Sequence, residues 1–301
     1  MVAVFSLQPV LAEGEGNALQ NESHQTEPVT DNLKPEPPAP PKPPELAPET
    51  FMVHVRPGER INDFCKRMER SNTSSCSDLE TLGRNKELFK GLSYLGAATG
   101  LRRFEGAFVP GQYRFLQRED ESNESRSTRI VTELLARANL RFANLTRTGL
   151  NLREKVILAS IVEKEAVSKT NHAEIASVFL NRLARRQPLG SCPTVEYALG
   201  YHRPFLLFSD VRIESPYNVY RRKGLPPTPI AFFSDAAWDA VQNPIRTRYE
   251  FFVYDWTNGK VSFARAYSEH KVNANVARRN FTLKYGQARM YEKSPGKFYE
   301  Y

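Results

Sequence analysis

Cysteine is scarce in this chain: three residues in 301, Cys65, Cys76 and Cys192. They are too few and too scattered for a tetrahedral metal site or a disulfide framework, so no metal or other cofactor is expected. No apolar run is long enough to span a bilayer, and no internal repeat marks a solenoid. Acidic side chains are outnumbered, 34 against 42 lysines and arginines, for a net charge of +8. The surface should therefore attract an anion, whether nucleic acid, an acidic membrane face or a carboxylate-bearing polymer, unless it is merely a soluble basic surface. Basic residues gather at Arg182, Arg185 and Arg186 and again at Arg221, Arg222 and Lys223. Zinc-finger spacing, an aromatic RNP signature and a basic-zipper heptad are all missing, so nucleic acid is not the expected partner.

What is present divides the chain. A length of 301 residues suits one medium domain with a smaller one or tails. The opening, residues 1–12, ends its short apolar run in Val10, Leu11 and Ala12. Small residues there fit a signal-peptidase site, but the basic leader of a signal peptide is lacking, so the segment reads as a truncated export signal or anchor. Residues 13–50 offer almost nothing to bury, and "KPEPPAPPKPPELAPE" should be an extended, semi-rigid polyproline tether. Order should begin at Phe51, where Phe51, Val53 and Val55 alternate as in a strand and Ile61, Phe64, Cys65 and Met68 recur at helical spacing. A second helical stretch from Asp78 and the run "FEGAFVPGQYRF" complete a strand, helix, helix, strand module over 51–117. "REDESNESRSTR" reads as a charged hinge. Helices are expected around Ile130 to Arg141, Leu152 to Glu165 and Ala173 to Arg186, irregular proline-punctuated chain from Gln187 to Ile230, a hairpin through "TNG", and a last helix near Glu269.

The chemistry centres on "LASIVEKEAVS". On a helix Glu165 shares a stripe with Leu158, Ile161 and Val162, while Glu163 shares the opposite side with Val156, Ala159 and Ser160. Both faces are apolar, so the helix should be buried all round. A carboxylate at its C-terminal end meets an unfavourable helix dipole as well as desolvation. Both raise a carboxyl pKa, as a general acid near neutral pH requires. Periodicity alone leaves open that the helix end simply emerges into water.

Downstream, "ASIVEKEA", "ASVFLNRL", "PLGSCPTVEYAL", "SPYNVY", "GLPPTPI", "YEFFVYD" and "EH" follow in that order. Together they resemble the MltG, or YceG-like, family of endolytic murein transglycosylases, and "FEGAFVPGQYRF" looks like the end of that family's LysM-like subdomain. The resemblance covers roughly Phe51 to Gly286. It implies an α+β fold: a small LysM-like module at 51–117, a mixed α/β catalytic domain of the YceG-like type at 118–286, and a C-terminal tail at 287–301. It makes Glu165 the catalytic residue and Glu163 its neighbour. It also suggests a sugar groove in which Asn181, Thr194, Tyr217, Asn218, Tyr220 and His270 hold substrate, although a turn, cap or core role serves several of them equally well. The implied partners are peptidoglycan strands and the machinery of cell-wall synthesis. The implied location is the inner membrane facing the periplasm, through an N-terminal segment, or the periplasm itself. In such an oxidising compartment Cys65 and Cys76 can bridge, leaving Cys192 a free thiol.

The chain departs from the family pattern at Cys192, where an aspartate is usual, and at Thr228, where glycine is usual. The usual membrane helix is not visible. Two other readings stand beside the transglycosylase: an inverting muramidase, for which Glu196, Asp210 and Glu214 are available as the second carboxylate, and an inert wall-binding scaffold.

Overall fold

The alternation at the start of the ordered chain becomes strand β1 (Thr50–Val55), in which Val53 and Val55 are buried while Met52 and His54 face outward. Helix α1 (Ile61–Arg70) buries Ile61, Phe64, Cys65 and Met68, the stripe expected from their spacing. Helix α2 (Cys76–Arg84) starts at Ser75, whose hydroxyl accepts the Asp78 amide. After a short 3-10 turn at Gly100–Phe104, strand β2 (Gly111–Leu116) returns antiparallel to β1, with Val53 opposite Tyr113 and Val55 opposite Gly111. Cys65 and Cys76 are joined, their Cα atoms 5.1 Å apart, and this ties α1 to the start of α2; Cys192 is a free thiol.

The computed structural model describes residues 48–293 apart from 96, 97, 144, 147, 148 and 167–170. The opening at 1–12, the tether up to residue 47 and the tail from 294 lie outside the described residues.

The charged stretch expected as a hinge is in large part helix. Ser122 accepts the Ser125 amide and begins α3 (Asn123–Phe142), and Glu121 is consumed by Arg129 at 2.6 Å. Paired charges and a cap thus make a helix of a sequence that looks like loop. Helix α4 (Leu152–Glu165) begins in a reciprocal capping box between Asn151 and Glu154, and every residue from Lys155 to Val162 is buried. Even the Lys155 ammonium is inside, donating to the Thr146 carbonyl and to Gln242 Oε1 at 2.6 Å.

Helix α5 (His172–Ala184) packs on α4. Helix α6 (Cys192–Leu199) lies in chain expected to be irregular. Its proline, Pro193, falls in the first turn, where an amide has no intrahelical partner, and Gly200 ends it at φ +79°, so the two residues that read as breakers are its terminators. Helix α7 (Asp235–Gln242), capped by Ser234, was also without a sequence signal. Strands β3 (Phe251–Asp255) and β4 (Lys260–Ala264) form the expected hairpin, whose turn is held by Asp255 accepting from the Thr257 amide and hydroxyl and from Asn280. Helix α8 (Tyr267–Tyr285) closes the order.

One aromatic core runs through both halves. Phe108 lies against Phe64 and Phe104, and Phe64 meets Phe232 edge-on at 5.7 Å. The loop after β1 is stitched to the same place: the Gly58 amide donates to the Phe232 carbonyl at 2.8 Å and the Phe232 amide to the Glu59 carbonyl at 2.9 Å. The described residues accordingly all belong to one compact unit that begins at Pro48. Among them no helix is long and apolar enough to cross a membrane.

Candidate functional site

Glu165 is the last residue of α4, and its half-buried side chain opens into a cleft of about 1630 Å³. The N-terminus of α6 faces it. Ser191 stands at the N-cap of α6 and is fully buried, yet its hydroxyl caps no amide; it donates instead to Glu165 Oε1 at 2.7 Å. The backbone of Cys192 offers a second hydrogen bond.

Desolvation nevertheless dominates and pushes the carboxyl up to about 7. The hydrogen bonds from Ser191 and Cys192 and the charge of Arg182 pull the other way, while the charge of Glu196 adds to the rise. A carboxyl balanced near neutrality can give a proton and take one back at the same pH.

Glu163, two residues earlier, is treated in the opposite way. Burial alone would raise it, but hydrogen bonds from His172 and from the hydroxyl and amide of Ser234 outweigh that and hold it below the ordinary carboxylate range. The Ser234 hydroxyl lies at 2.6 Å and the amide at 3.0 Å. Glu163 is thus a fixed anion at the start of α7, tying that helix to α4.

Arg182 on α5 is held beside Glu165 by donating to the carbonyls of Leu189 and Glu250, each at 2.6 Å, with its guanidinium over the Phe251 ring. Its approach depends on Gly190, which sits at φ +60°; a Cβ there would come within 2.9 Å of Arg182 Nη1. Glu196 on α6 also lines the cleft, nearly buried, and accepts from His202 Nδ1 at 2.8 Å and from the Arg203 amide. A further buried carboxyl, Glu105, accepts from the Ile61 amide and from the Tyr197 hydroxyl, each at 3.1 Å; desolvation raises it too to about 7.

Of the residues singled out from the sequence, Glu165, Tyr220 and His270 line the cleft, as do Glu163, Cys192 and Glu196. Tyr220 is partly exposed and shares a hydrogen bond with the Cys192 thiol at 3.0 Å. That thiol is pushed up to about 12, by desolvation first and then by Glu165, so it is neutral and not a nucleophile near pH 7. His270 is stacked on Phe251, and burial together with Arg182 and Arg278 lowers its pKa, leaving a neutral imidazole.

The other candidates lie behind the wall. Asn181 gives both amide protons to the carbonyls of Thr247 and Tyr249. Thr194 is fully buried and donates to the Ser191 carbonyl at 2.7 Å. Tyr217 is bonded to Thr228 and packed on Tyr197, and Asn218 spends its amide on Val211, Ile213 and Tyr220. Of the carboxylates available for a second role, Asp210 is engaged by Arg203, Tyr201 and Leu207, Glu214 is exposed beside Arg221, and neither lines the cleft.

Ser191, Arg182 and Glu105 carry no site signal in the sequence, and Glu196 stands there only as a possible second carboxylate. Ser191 falls in chain that reads as irregular, and Arg182 looks like one more surface cation beside Arg185 and Arg186. Among the described residues no three histidine, cysteine, aspartate or glutamate side chains converge as metal ligands.

Comparison with known proteins gives this arrangement relatives. Over 166 residues, 55% of the chain, it is 34% identical to an endolytic murein transglycosylase of Bacillus subtilis, and over 176 residues it is 32% identical to one of Streptococcus pneumoniae. The matched stretches span 46% and 32% of those proteins, so the chain corresponds to about half or less of their lengths. The crystal structure of a yceG-like protein from Listeria monocytogenes superposes with a TM-score of 0.64 at 27% identity, covering 74% of this chain and 75% of that one. The YceG-like family model matches residues 22–276, a span that takes in both cleft walls, Glu165 and the whole run of motifs around it, and the chain belongs to that family.

Proposed function

We propose that the chain is an endolytic murein transglycosylase in which Glu165 is the single general acid and base. The observation that carries this is the state of Glu165: a cleft carboxyl, anchored by Ser191, with its pKa near 7. The names of the Bacillus and Streptococcus relatives point to the same activity.

Protonated, Glu165 donates to the glycosidic oxygen between N-acetylmuramic acid and N-acetylglucosamine as the bond breaks through an oxocarbenium-like state. Ionised, it then accepts the proton of the muramic acid C6 hydroxyl, which attacks the anomeric carbon and closes a 1,6-anhydro ring. No water enters. The internal hydroxyl is favoured because it is held in place at high effective concentration. Arg182 and the α6 N-terminus stabilise the carboxylate between the two proton transfers, and Glu196 keeps its pKa from falling too low.

Tyr220 and His270 face the strand in this reading, whereas Thr194, Asn181, Tyr217 and Asn218 fix the wall behind. The region 51–117 serves as a LysM-like module and 118–286 as the catalytic domain, tethered by 13–50 and exported, the protein facing the periplasm. The Cys65–Cys76 bond supports an oxidising compartment.

A second reading, hydrolysis by an activated water, has one observation in its favour: Glu196 lines the same cleft and lies near enough to act on Glu165 electrostatically. Mass analysis of digested glycan separates the two. Fragments ending in 1,6-anhydromuramic acid, one water lighter than hydrolysis products, are expected within long strands. Reducing muramic acid ends would assign hydrolysis, and uncut glycan would refute both.

A further inference from the structure

The cations of this protein fall into two groups. Some are engaged: Arg67 with Glu59, Arg129 with Glu121, Arg141 with Asp235, Arg203 with Asp210, and Arg182 with two carbonyls. Others donate no side-chain hydrogen bond among the described residues, and five of these line the cleft that holds Glu165: Arg278, set over the Phe205 ring, and a group made of Arg56, Arg60, Lys66 and Arg102. The members of that group come from the first part of the chain, from the loop after β1, from α1 and from the 3-10 turn before Glu105. The stitching of Gly58 and Glu59 to Phe232 and the bond from the Ile61 amide to Glu105 fix them as one lip.

Arg60 is the innermost. Its guanidinium lies 5.2 Å from the centre of the Tyr197 ring, on the helix whose first turn holds Glu165. Tyr197 is five residues along α6 from Cys192, about 7.5 Å at helical rise, so α6 meets the acid at its start and the lip farther along. Acidic residues do not cancel it. Glu59 is taken by Arg67, Glu105 is buried and doubly bonded, and the exposed carboxylates near this lip among the described residues are Asp63, in the cleft, and Glu69, beside Lys66 but outside it. The opposite wall is aromatic, with Tyr220, Phe251, Tyr254, Trp256 and Tyr267.

We propose that this cationic lip binds the carboxylates of the peptide stems borne by the glycan strand, so that the protein selects strands still carrying peptide over stripped ones. The inference rests on the murein reading above and extends it. A glycan backbone offers neutral hydroxyl and acetamido groups, which suit the aromatic wall. Unpaired guanidinium and ammonium groups suit an anion, and the carboxylate of a stem matches the two-pronged geometry of arginine. Strand placement follows: sugar rings run along the aromatic wall past Glu165, and stems lie across the α1 side.

The test uses the full chain and two substrates made from one preparation, peptide-bearing strands and the same strands with stems removed by an amidase and the lactyl carboxylates thereby freed then capped as neutral amides. Arg56→Glu, Lys66→Glu and Arg102→Glu are combined in one variant, and Arg60→Gln is made separately because of its contact with Tyr197. Against peptide-bearing strands the triple variant should lose about tenfold in kcat/KM, mainly through KM, while its rate on stripped strands changes less than about twofold. The preference of the unaltered protein for peptide-bearing strands should shrink as salt rises from about 50 to 500 mM. Equal losses on both substrates, or no preference in the unaltered protein, would overturn the proposal with the cleavage reading intact. Binding of vesicles rich in anionic phospholipid, lost in the triple variant while both substrates are cut equally, would make the lip a lipid-facing surface and also overturn it. Failure of the unaltered protein to cut either substrate refutes the murein reading itself.

Discussion

The last turn of α4 meets two helix N-termini, and the two junctions are built from the same parts to opposite ends. At the α7 junction Glu163 faces a capping serine, Ser234; at the α6 junction Glu165 faces Ser191, which holds the N-cap position but caps no amide. Each carboxylate lies where a helix dipole favours negative charge and where burial opposes it. Glu163 is nevertheless held down and Glu165 pushed up to about 7. The neighbours make the difference: a histidine and two donors from one serine for Glu163, against one hydroxyl, a backbone bond, the charge of Arg182 and the repelling charge of Glu196 for Glu165. A helix terminus does not by itself set a carboxyl pKa. The count of donors and the sign of the next charge decide it.

The largest blow to this contrast is Glu165→Gln, which keeps the shape but cannot cycle a proton. Cleavage of glycan should fall by about 100-fold or more, measured as anhydro ends released, while Glu163→Gln keeps most of it. The opposite ranking would transfer the catalytic role to the α7 junction.

Stability should change in opposite directions with pH. The folded-state pKa of Glu165 is raised, so its contribution is intact at low pH and is lost as pH rises through about 7. Glu165→Gln should therefore be more stable than the parent at pH 8, by about 1 to 2 kcal/mol after allowance for cleft water, with the gap closing near pH 5. The pKa of Glu163 is depressed, so its contribution is present at neutral pH and lost on acidification. Glu163→Gln should cost about 1 to 3 kcal/mol at pH 7 and less at lower pH. Denaturant titrations at three pH values check both.

A smaller effect sharpens the role of the neighbouring charge. Glu196→Gln removes a repulsion that keeps Glu165 protonated, so the alkaline limb of the rate profile should move to lower pH and the rate at pH 8 should drop about threefold. An unmoved profile would show that desolvation alone sets the acid. The smallest effect on the contrast comes from outside it. Reducing the Cys65–Cys76 bond should lower stability by about 2 to 3 kcal/mol and leave the shape of the pH profile unchanged.

Much of this was legible in the residues because it is local. The limits of α4 and its burial on both faces follow from an uninterrupted apolar pattern, whereas the choice of Glu165 over Glu163 comes from the resemblance to the family. Helix α6 was hidden because Pro193 and Gly200 read as breakers when they are in fact its two ends. The environment that sets the pKa of Glu165 is non-local: Ser191 comes from 26 residues away, and Arg182 faces inward only because Gly190 leaves room for it. For the same reason Asn181 and Asn218, plausible as sugar ligands by type, prove to be engaged with the backbone, a choice no local pattern encodes.

The pair of backbone bonds between Phe232 and the loop after β1 has a bearing on how the protein can come apart. Because Phe232 also sits between Phe64 and Phe108, peeling away the first strand and helix would strip both hydrogen bonds and uncover an aromatic face in the same event. The two halves therefore melt as one cooperative block, with the amides of Gly58 and Phe232 exchanging with solvent only through global opening. A fragment beginning at residue 118 would carry the acid and its serine but present a sticky, half-built core, so excision of the first half ends in aggregation rather than in a smaller enzyme.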